Sequence, residues 1–378
     1  MQVKNKFTKE NLRKYLRVFI FLTNIVAILL LLLSTLAWTI LPSKVTAISY
    51  LGMGFPFLLV INIGYLILWG ILLRWKLALV QIIALAICWN PISTYFPMHL
   101  RTQTVPDDCI KVFSYNVRGF NWLAGDTARR NPMLDYIAGS GADIICLQEF
   151  VVAIKKDKTG IISEEEFNRK MKNYPYRQIV RLGEATSSYY KYGIACYSKY
   201  PIEKTAAIPI VSTYNGSSIH EIKIKDKTIT LVNNHLESNR ITAEDKKLYK
   251  NFAKKKDREM LETIAHNIQS RLGVAFRLRE KQANIIRSYI DKQETDATII
   301  CGDFNDTPIS YAYHQIKGDM IDSYAHTGFG PGITYHENKF WFRIDYIIHS
   351  SNLESYNCTI GDIKYSDHYP IWSYLRFK

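Results

Sequence analysis

No two of the six cysteines stand at the paired spacing that a zinc site or a disulfide framework needs. Cys146, Cys196 and Cys301 sit singly in apolar runs (DIICLQE, GIACYS, TIICGD), where a thiol serves as a small core side chain, and Cys88 falls in a longer apolar segment. There is no internal repeat and no low-complexity tract, which excludes a repeat architecture. Acidic residues are outnumbered by basic ones, 34 to 48, leaving a net charge of +14. Charge is absent altogether from Val18–Ile40. No small-residue cleavage site follows that run and further apolar segments come after it, so a cleaved signal peptide is a poor account of it.

What is present divides the chain in two. Its 378 residues exceed a usual single domain, and the 48% hydrophobic content is concentrated near the N-terminus. Val18–Ile40 is long enough to cross the roughly 30 Å hydrocarbon core as a helix. Ala47–Leu73 is a second such run, with Pro56 and Gly64 inside it, which a membrane helix tolerates. Leu77–Trp89 is a third and shorter run. It reaches spanning length only if Asn90–Pro97 continues it through the interface, where Trp89, Tyr95 and Phe96 are suited. Buried core helices are the competing account of the second and third runs.

Lys4, Lys6, Lys9, Arg13, Lys14 and Arg17 precede the first run, and Arg74 and Lys76 separate the second from the third. Only Lys44 lies between the first two. The positive-inside rule then places the N-terminus in the cytoplasm. With three spans, the remainder lies outside it. The expected organisation is a transmembrane region at 1–100 with helices at about 18–40, 47–73 and 77–97, a linker at 101–108, and a catalytic domain at 109–378, in a bacterial-type inner membrane.

After the linker, strand-like and helix-like segments alternate, as in an α/β fold. Strands are expected at Ile110–Tyr115, Asp143–Leu147, Arg177–Arg181, Gly193–Tyr197, Ala206–Val211, His220–Ile224, Thr228–Asn233, Ala297–Cys301, Arg343–Ile348 and Tyr369–Arg376. Ala243–Ile290 is expected to be mostly helical. Chemistry-bearing residues recur at the strand ends: Asn116, Glu149, His235, Asp303 with Asn305, and Asp367–His368. Asp345 falls inside a strand, where a buried carboxylate needs a partner. Each has a plain alternative: a satisfied core histidine at 235, a surface acid at 149, an Asp345–Arg343 pair, a capped turn at GDFND. Together they fit one chemistry. Oxygen ligands without clustered Cys or His suit Mg²⁺, Mn²⁺ or Ca²⁺ rather than Zn²⁺. Histidines beside carboxylates suit proton transfer. The set points to metal-assisted phosphoester hydrolysis.

In order, SYNVRG (Ser114–Gly119), LQE (Leu147–Glu149), YGIACYSKYPI (Tyr192–Ile202), NNHLES (Asn233–Ser238), GDFND (Gly302–Asp306), RIDYI (Arg343–Ile347) and SDHYPI (Ser366–Ile371) resemble the endonuclease/exonuclease/phosphatase superfamily. The resemblance covers nearly all of 108–378 and implies an α/β fold, a four-layer α-β-β-α sandwich. It also implies roles. Glu149, with Asn116 and Asp367, would hold Mg²⁺. Asp303 would orient or deprotonate the attacking water, and Asn305 would bind the scissile phosphate. His368, oriented by Asp345, would act as base or stabilise phosphoryl charge. His235 is similar to the histidine of pancreatic-type deoxyribonucleases and neutral sphingomyelinases, where it assists the leaving group.

The substrate stays open, because one fold serves many substrates. The basic balance favours a nucleic acid. The segment Arg240–Lys281, which includes Lys254–Lys256, could track a nucleic-acid backbone, rest on anionic headgroups, or be a solvated helical face. Phe340, Trp341 and Phe342 offer surfaces to stack a base, touch lipid or simply pack. Trp341 and Arg343 are expected at the substrate. A nuclease is the first expectation, a lipid phosphodiesterase or phosphatase the second, and an inactive membrane receptor for phosphorylated ligands the third.

Overall fold

A computed structural model of the chain describes residues 9–100, 102–121, 127–155, 161–182, 189–239, 258–337 and 341–378. Lys4, Lys6, Lys254–Lys256, Phe340 and the first part of the expected helix at Ala243–Ile290 lie outside the described residues.

The chain opens with helix α1, Lys9–Thr35, prolonged by a 3-10 turn at Leu36–Trp38. Within it Asn11–Trp38 is long and apolar enough to cross a membrane. The second apolar run breaks into α2, Thr46–Met53, and α3, Phe55–Ile71, bent by 62°. The break falls at Gly54 and not at Gly64. Pro56 has no N–H to donate to the carbonyl four residues back, so α2 cannot run on through it. The third run breaks in the same way into α4, Trp75–Ile87, and α5, Trp89–Tyr95, bent by 66° just before Pro91. The helix expected at about 77–97 is therefore two pieces. If each bent pair is one span, up to three segments are long and apolar enough to cross.

Asn24, Asn62 and Gln81 are buried among these helices and bond to one another: Asn24 donates to Gln81 at 2.8 Å and Gln81 to Asn62 at 2.6 Å. Trp69 donates to Asn24 at 2.8 Å. Paired in this way, the amides join α1, α3 and α4 with no unmet donor facing apolar surroundings.

From Ile110 the chain builds two six-stranded mixed sheets. The first contains β1 (Ile110–Asn116), β2 (Ile144–Ala153), β3 (Tyr176–Arg181), β4 (Tyr190–Ser198), β11 (Leu353–Ile360) and β12 (Ile371–Phe377), in the order β11-β12-β1-β2-β4-β3. The second contains β5 (Ile202–Ile208), β6 (Gly216–Ile224), β7 (Lys227–His235), β8 (Ala297–Asp303), β9 (Ile321–Asp322) and β10 (Asp345–His349), in the order β5-β6-β7-β8-β10-β9.

Side chains alternate across each strand. Ile110, Val112, Ile144, Cys146, Ile229, Leu231, Ile299 and Cys301 fill the layer between the sheets. Phe113, Tyr115, Ile145 and Leu147 face the other way, against α6 (Thr127–Ala138) and α7 (Glu164–Lys170). Val232, Ile300 and Ile348 face α8 (Arg258–Ile290) and α9 (Tyr311–Lys317). Helix, sheet, sheet and helix make four layers, and Cys146, Cys196 and Cys301 are free thiols in the middle of them. The strand expected at Ala206–Val211 runs instead from Ile202 to Ile208, because Pro209 cannot donate to the ladder.

The apolar helices and the sandwich are joined by specific polar contacts. Trp38 Nε1 donates to the Pro308 carbonyl at 2.7 Å and its ring stacks on His314. Ser43 donates through its backbone N–H and hydroxyl to Glu280 at 2.7 and 2.8 Å. Arg343 is fully buried, bonds Asp322 at 2.7 Å and donates to the Thr94 carbonyl.

Two outcomes follow from these buried charges. Arg343→Met would strand the Asp322 carboxylate, and loss of one partner of a buried pair costs about 3–5 kcal/mol. Thermal melting of the detergent-solubilised chain should show this as a large fall in Tm, and a shift of a degree or less would contradict the pairing. Burial also holds His220 and His349 neutral, with pKa values lowered to about 4. In the unfolded chain both titrate near 6.5, so the unfolded state takes up protons first as pH falls. Their contribution is complete above about pH 6.5 and is lost as pH falls toward 4. His220→Gln should flatten the decline of Tm between pH 6.5 and 4, and an unchanged slope would contradict it.

Candidate active site

The parallel pairs β1–β2 and β7–β8 end on the same side of the sandwich, and antiparallel β10 begins there. His235 is the register partner of Asp303, and Asp303 that of Asp345. Three residues far apart in the chain thus stand side by side on adjacent strands. The close approach depends on Gly302. Its φ is +120°, and a Cβ there would lie 2.0 Å from the Asn234 carbonyl oxygen.

Glu149 is placed differently. The β2–β4 register shifts between Leu147 and Phe150, and Glu149 takes a φ of +50°. This bulge turns its carboxylate out of the ladder toward the strand ends. Asn305 has a φ of +51°, and its backbone N–H donates to Asp303 Oδ1 at 2.8 Å. Two non-glycine residues in the left-handed region at one site store strain of about 1–3 kcal/mol each.

These elements bring together eight of the ten residues expected from the sequence. Asn116 Nδ2 donates to Glu149 at 3.1 Å and to Asp303 at 3.0 Å. His235 Nε2 lies 3.7 Å from Glu149 and 3.8 Å from Asp303. His368 Nδ1 bonds Asp345 at 2.9 Å, and its Nε2 lies 3.6 Å from Asp303. Asp345 therefore pairs with His368 and not with Arg343. Asn305 Nδ2 donates to the Leu236 carbonyl at 2.9 Å and to Asp303 at 3.3 Å. Asp367 stands at the edge, 3.6 Å from Arg118.

The expectation that Arg343 meets substrate is corrected here. Its guanidinium is fully buried and engaged by Asp322 and the Thr94 carbonyl. Trp341 is exposed. Its neighbour Phe342 bridges Tyr335, and Tyr335 bridges His368.

Sequence reasoning passed over Asn215, whose Nδ2 approaches His235 Nε2 at 3.0 Å, and Arg118, which pairs with Glu337 at 3.0 Å and faces Asp367. It also passed over Thr334, whose hydroxyl accepts the N–H groups of Ile344 and Asp345 at 3.0 and 3.1 Å. Only Arg118 carried a signal, as part of SYNVRG. Asn215 and Thr334 are ordinary turn residues until the fold delivers them.

The electrostatics follow from burial. Burial raises Asp303 to about 6, aided by the charge of Asp345 and opposed by His368 and His235. Burial and then Asp367 raise Glu149. Burial lowers His235. Burial would also lower His368, but Asp345 and Asp303 outweigh it and hold the imidazolium well above the usual histidine value. Asp303, Asp345 and His368 offer ligand atoms within 4.8 Å of one another. Asp345 Oδ1 is buried without a partner.

Hard oxygen donors crowded in a buried pocket, one of them unpartnered, fit a divalent cation. Asn116 fits less directly: its nitrogen faces both carboxylates, its oxygen accepts from Arg118 N–H at 3.0 Å, and the amide must turn over to offer oxygen to a metal.

A four-layer sandwich whose converging strand ends carry carboxylates, amides and two histidines is the architecture of a phosphoester hydrolase. The endonuclease/exonuclease/phosphatase family matches residues 113–368, and the chain belongs to that family. Residues 17–95 match a domain of unknown function (DUF8431). No curated protein matches the chain.

Solved structures share the fold at low identity. The endonuclease/exonuclease/phosphatase from Beutenbergia cavernae DSM 12333 is 12% identical, with a TM-score of 0.51 over 71% of this chain and 72% of that one. The human Nocturnin catalytic domain with bound sulfate anion is 16% identical, with a TM-score of 0.50 over 73% and 97%. A family protein from Leptotrichia buccalis C-1013-b is 18% identical, with a TM-score of 0.49 over 71% and 100%.

The Gly302 crossing gives a direct test. Gly302→Ala must push β8 from β7 between His235 and Asp303, and a displacement near 1 Å can cost about 100-fold in rate. Phosphodiester turnover should fall by about that factor while far-ultraviolet circular dichroism is kept. Near-native turnover would contradict the geometry.

Proposed function

We propose that the chain is a membrane-anchored phosphodiesterase that depends on a divalent cation, with Mg²⁺ the ion best suited to its oxygen donors. The single observation that carries this reading is the convergence of Glu149, His235, Asp303, Asp345 and His368 on one pocket. Glu149, Asp367 and a turned Asn116 would hold the ion, which when bound neutralises charge on a phosphoryl oxygen.

The remaining work falls to side chains. Asp303, pushed up to about 6 and steadied by two N–H groups of Asn305, accepts a proton from the attacking water. Asn305 gives up its side-chain bond to Asp303 for a phosphate oxygen when substrate enters. His368, kept charged by Asp345, donates through Nε2 to a phosphoryl oxygen. His235, which burial keeps neutral at rest, takes up through Nε2 the proton that Asp303, 3.8 Å away, has removed from the water, and passes it to the departing alcohol.

Anchoring is supported by Asn11–Trp38 and by the two bent helix pairs. The catalytic domain is read as lying outside the cytoplasm, from the basic residues before α1 and between α3 and α4. A nucleic-acid substrate is supported by the net charge of +14. A lipid substrate is supported by the contacts that Pro308 and Ile309, just past GDFND, make with the N-terminal helices. Retention of the whole polar constellation speaks against an inactive receptor.

The test uses the full chain in detergent with bis(p-nitrophenyl) phosphate, single-stranded DNA and RNA. Chelation by EDTA should abolish turnover and Mg²⁺ restore it. Asp303→Asn and His368→Ala should each lower kcat by about 10³-fold or more, as removal of a charge-stabilising group does. Turnover that survives chelation would overturn the metal-dependent reading.

A further inference from the structure

We propose that the catalytic end of the sandwich faces the bilayer crossed by the N-terminal helices, and that its substrate is the phosphoester headgroup of a membrane amphiphile. This rests on the phosphoesterase reading above and names its substrate class.

The path of the chain sets the orientation. The last apolar helix ends at Tyr95, beside Arg343, two residues from Asp345. From there the chain runs along the side of the sandwich: His99 N–H donates to the Gly328 carbonyl at 3.1 Å, and Gln103 N–H to Asn357 at 2.8 Å. Asp108 meets Arg376 at 3.0 Å, and β1 then starts at the far end, with Ile110 opposite Leu375. Only then does β1 return toward the helices, ending at Asn116. The strands that end in site residues therefore point back at the N-terminal helices.

The other contacts agree. Trp38 bonds the carbonyl of Pro308, five residues past Asp303, and Ile309 packs in the core of the N-terminal helices with Leu31, Phe55 and Tyr95. Ser43 bonds Glu280, the neighbour of Arg279, which is buried against Asp306 of the GDFND loop at 2.9 Å.

Among the described residues, several groups around the site are exposed and apolar. Val211 and Tyr214 lie on the loop that carries Asn215 to His235, and both are well exposed. Tyr189 is exposed beside the catalytic end of β2, and Trp341 is exposed near the Tyr335–His368 bridge. Exposed aromatic and aliphatic groups of this kind are suited to a headgroup layer. The cations of α8 nearest the site are engaged elsewhere: Arg279 with Asp306, and Arg277 with Thr46 of α2 at 3.3 Å. They hold the sandwich to the helices.

The reaction is a balanced hydrolysis. Water oxygen bonds to phosphorus, one phosphorus–oxygen bond breaks, and the departing alcohol takes a proton while the phosphate monoester remains.

The test reconstitutes the full chain with Mg²⁺ into vesicles of phosphatidylcholine, phosphatidylethanolamine and phosphatidylglycerol, with bis(p-nitrophenyl) phosphate and single-stranded DNA in parallel. The expected result is release of a lipid cleavage product. In the double variant Val211→Ser, Tyr214→Ser, lipid turnover should fall about tenfold relative to that preparation's own turnover of the soluble diester. Hydrolysis of the soluble diester with vesicle lipid left intact would overturn the inference while the phosphoesterase reading stood. Preferential cleavage of DNA would do the same. Failure to hydrolyse any of the three would overturn both.

Discussion

Burying carboxylates beside one another is unfavourable, and the rest of the structure depends on how that burial is offset. Removing an ion from water carries an effective penalty of several kcal/mol even after relaxation. Here Asp303 and Asp345 are both buried, in register on neighbouring strands, with Glu149 joined to Asp303 through Asn116. The imidazolium of His368 stands 2.9 Å from one and 3.6 Å from the other. Asn305 supplies N–H groups to Asp303, and Thr334 fixes the backbone of Asp345. What is left uncompensated, notably Asp345 Oδ1, makes the pocket receptive to a cation.

Only a particular topology can assemble such a set. Parallel β7 and β8 place His235 opposite Asp303, and antiparallel β10 starts where β8 stops. A bulge in β2 aims Glu149 from the facing sheet. The loop after β8 then passes directly into contact with the N-terminal helices through Pro308 and Ile309. Gly52 shows how close that contact is: a Cβ there would lie 2.4 Å from the Ile309 carbonyl oxygen. The helices are thus seated against the segment that follows Asp303 and Asn305.

Much of this was legible in the sequence. Ile110–Asn116 and Ala297–Asp303 are legible as short, mostly apolar runs buried on both faces, and the polar residues at the strand ends stand where the strands stop. The three core cysteines read correctly from their apolar neighbours. What escaped was whatever depends on contacts distant in sequence. Arg343 looks like a ligand-binding residue in FRIDYII, and only the fold shows that Asp322 and Thr94 enclose it. Asn215 reaches His235 only through the β6–β7 hairpin. The apolar runs announced helices, yet the bends at Gly54 and Cys88 follow from Pro56 and Pro91, whose breaking effect hydrophobicity outweighs in a sequence scan. The strand β11 was missed because LESYNCTI mixes polar and apolar residues without a clean period.

The central claim is that this pocket takes a divalent cation beside Asp303 and His368. Anomalous diffraction from crystals of the full chain grown with Mn²⁺ tests it most directly. The account predicts a manganese peak within coordinating distance of the Glu149 carboxylate, lost in Glu149→Gln. A peak confined to other sites, or none at saturating Mn²⁺, would contradict it.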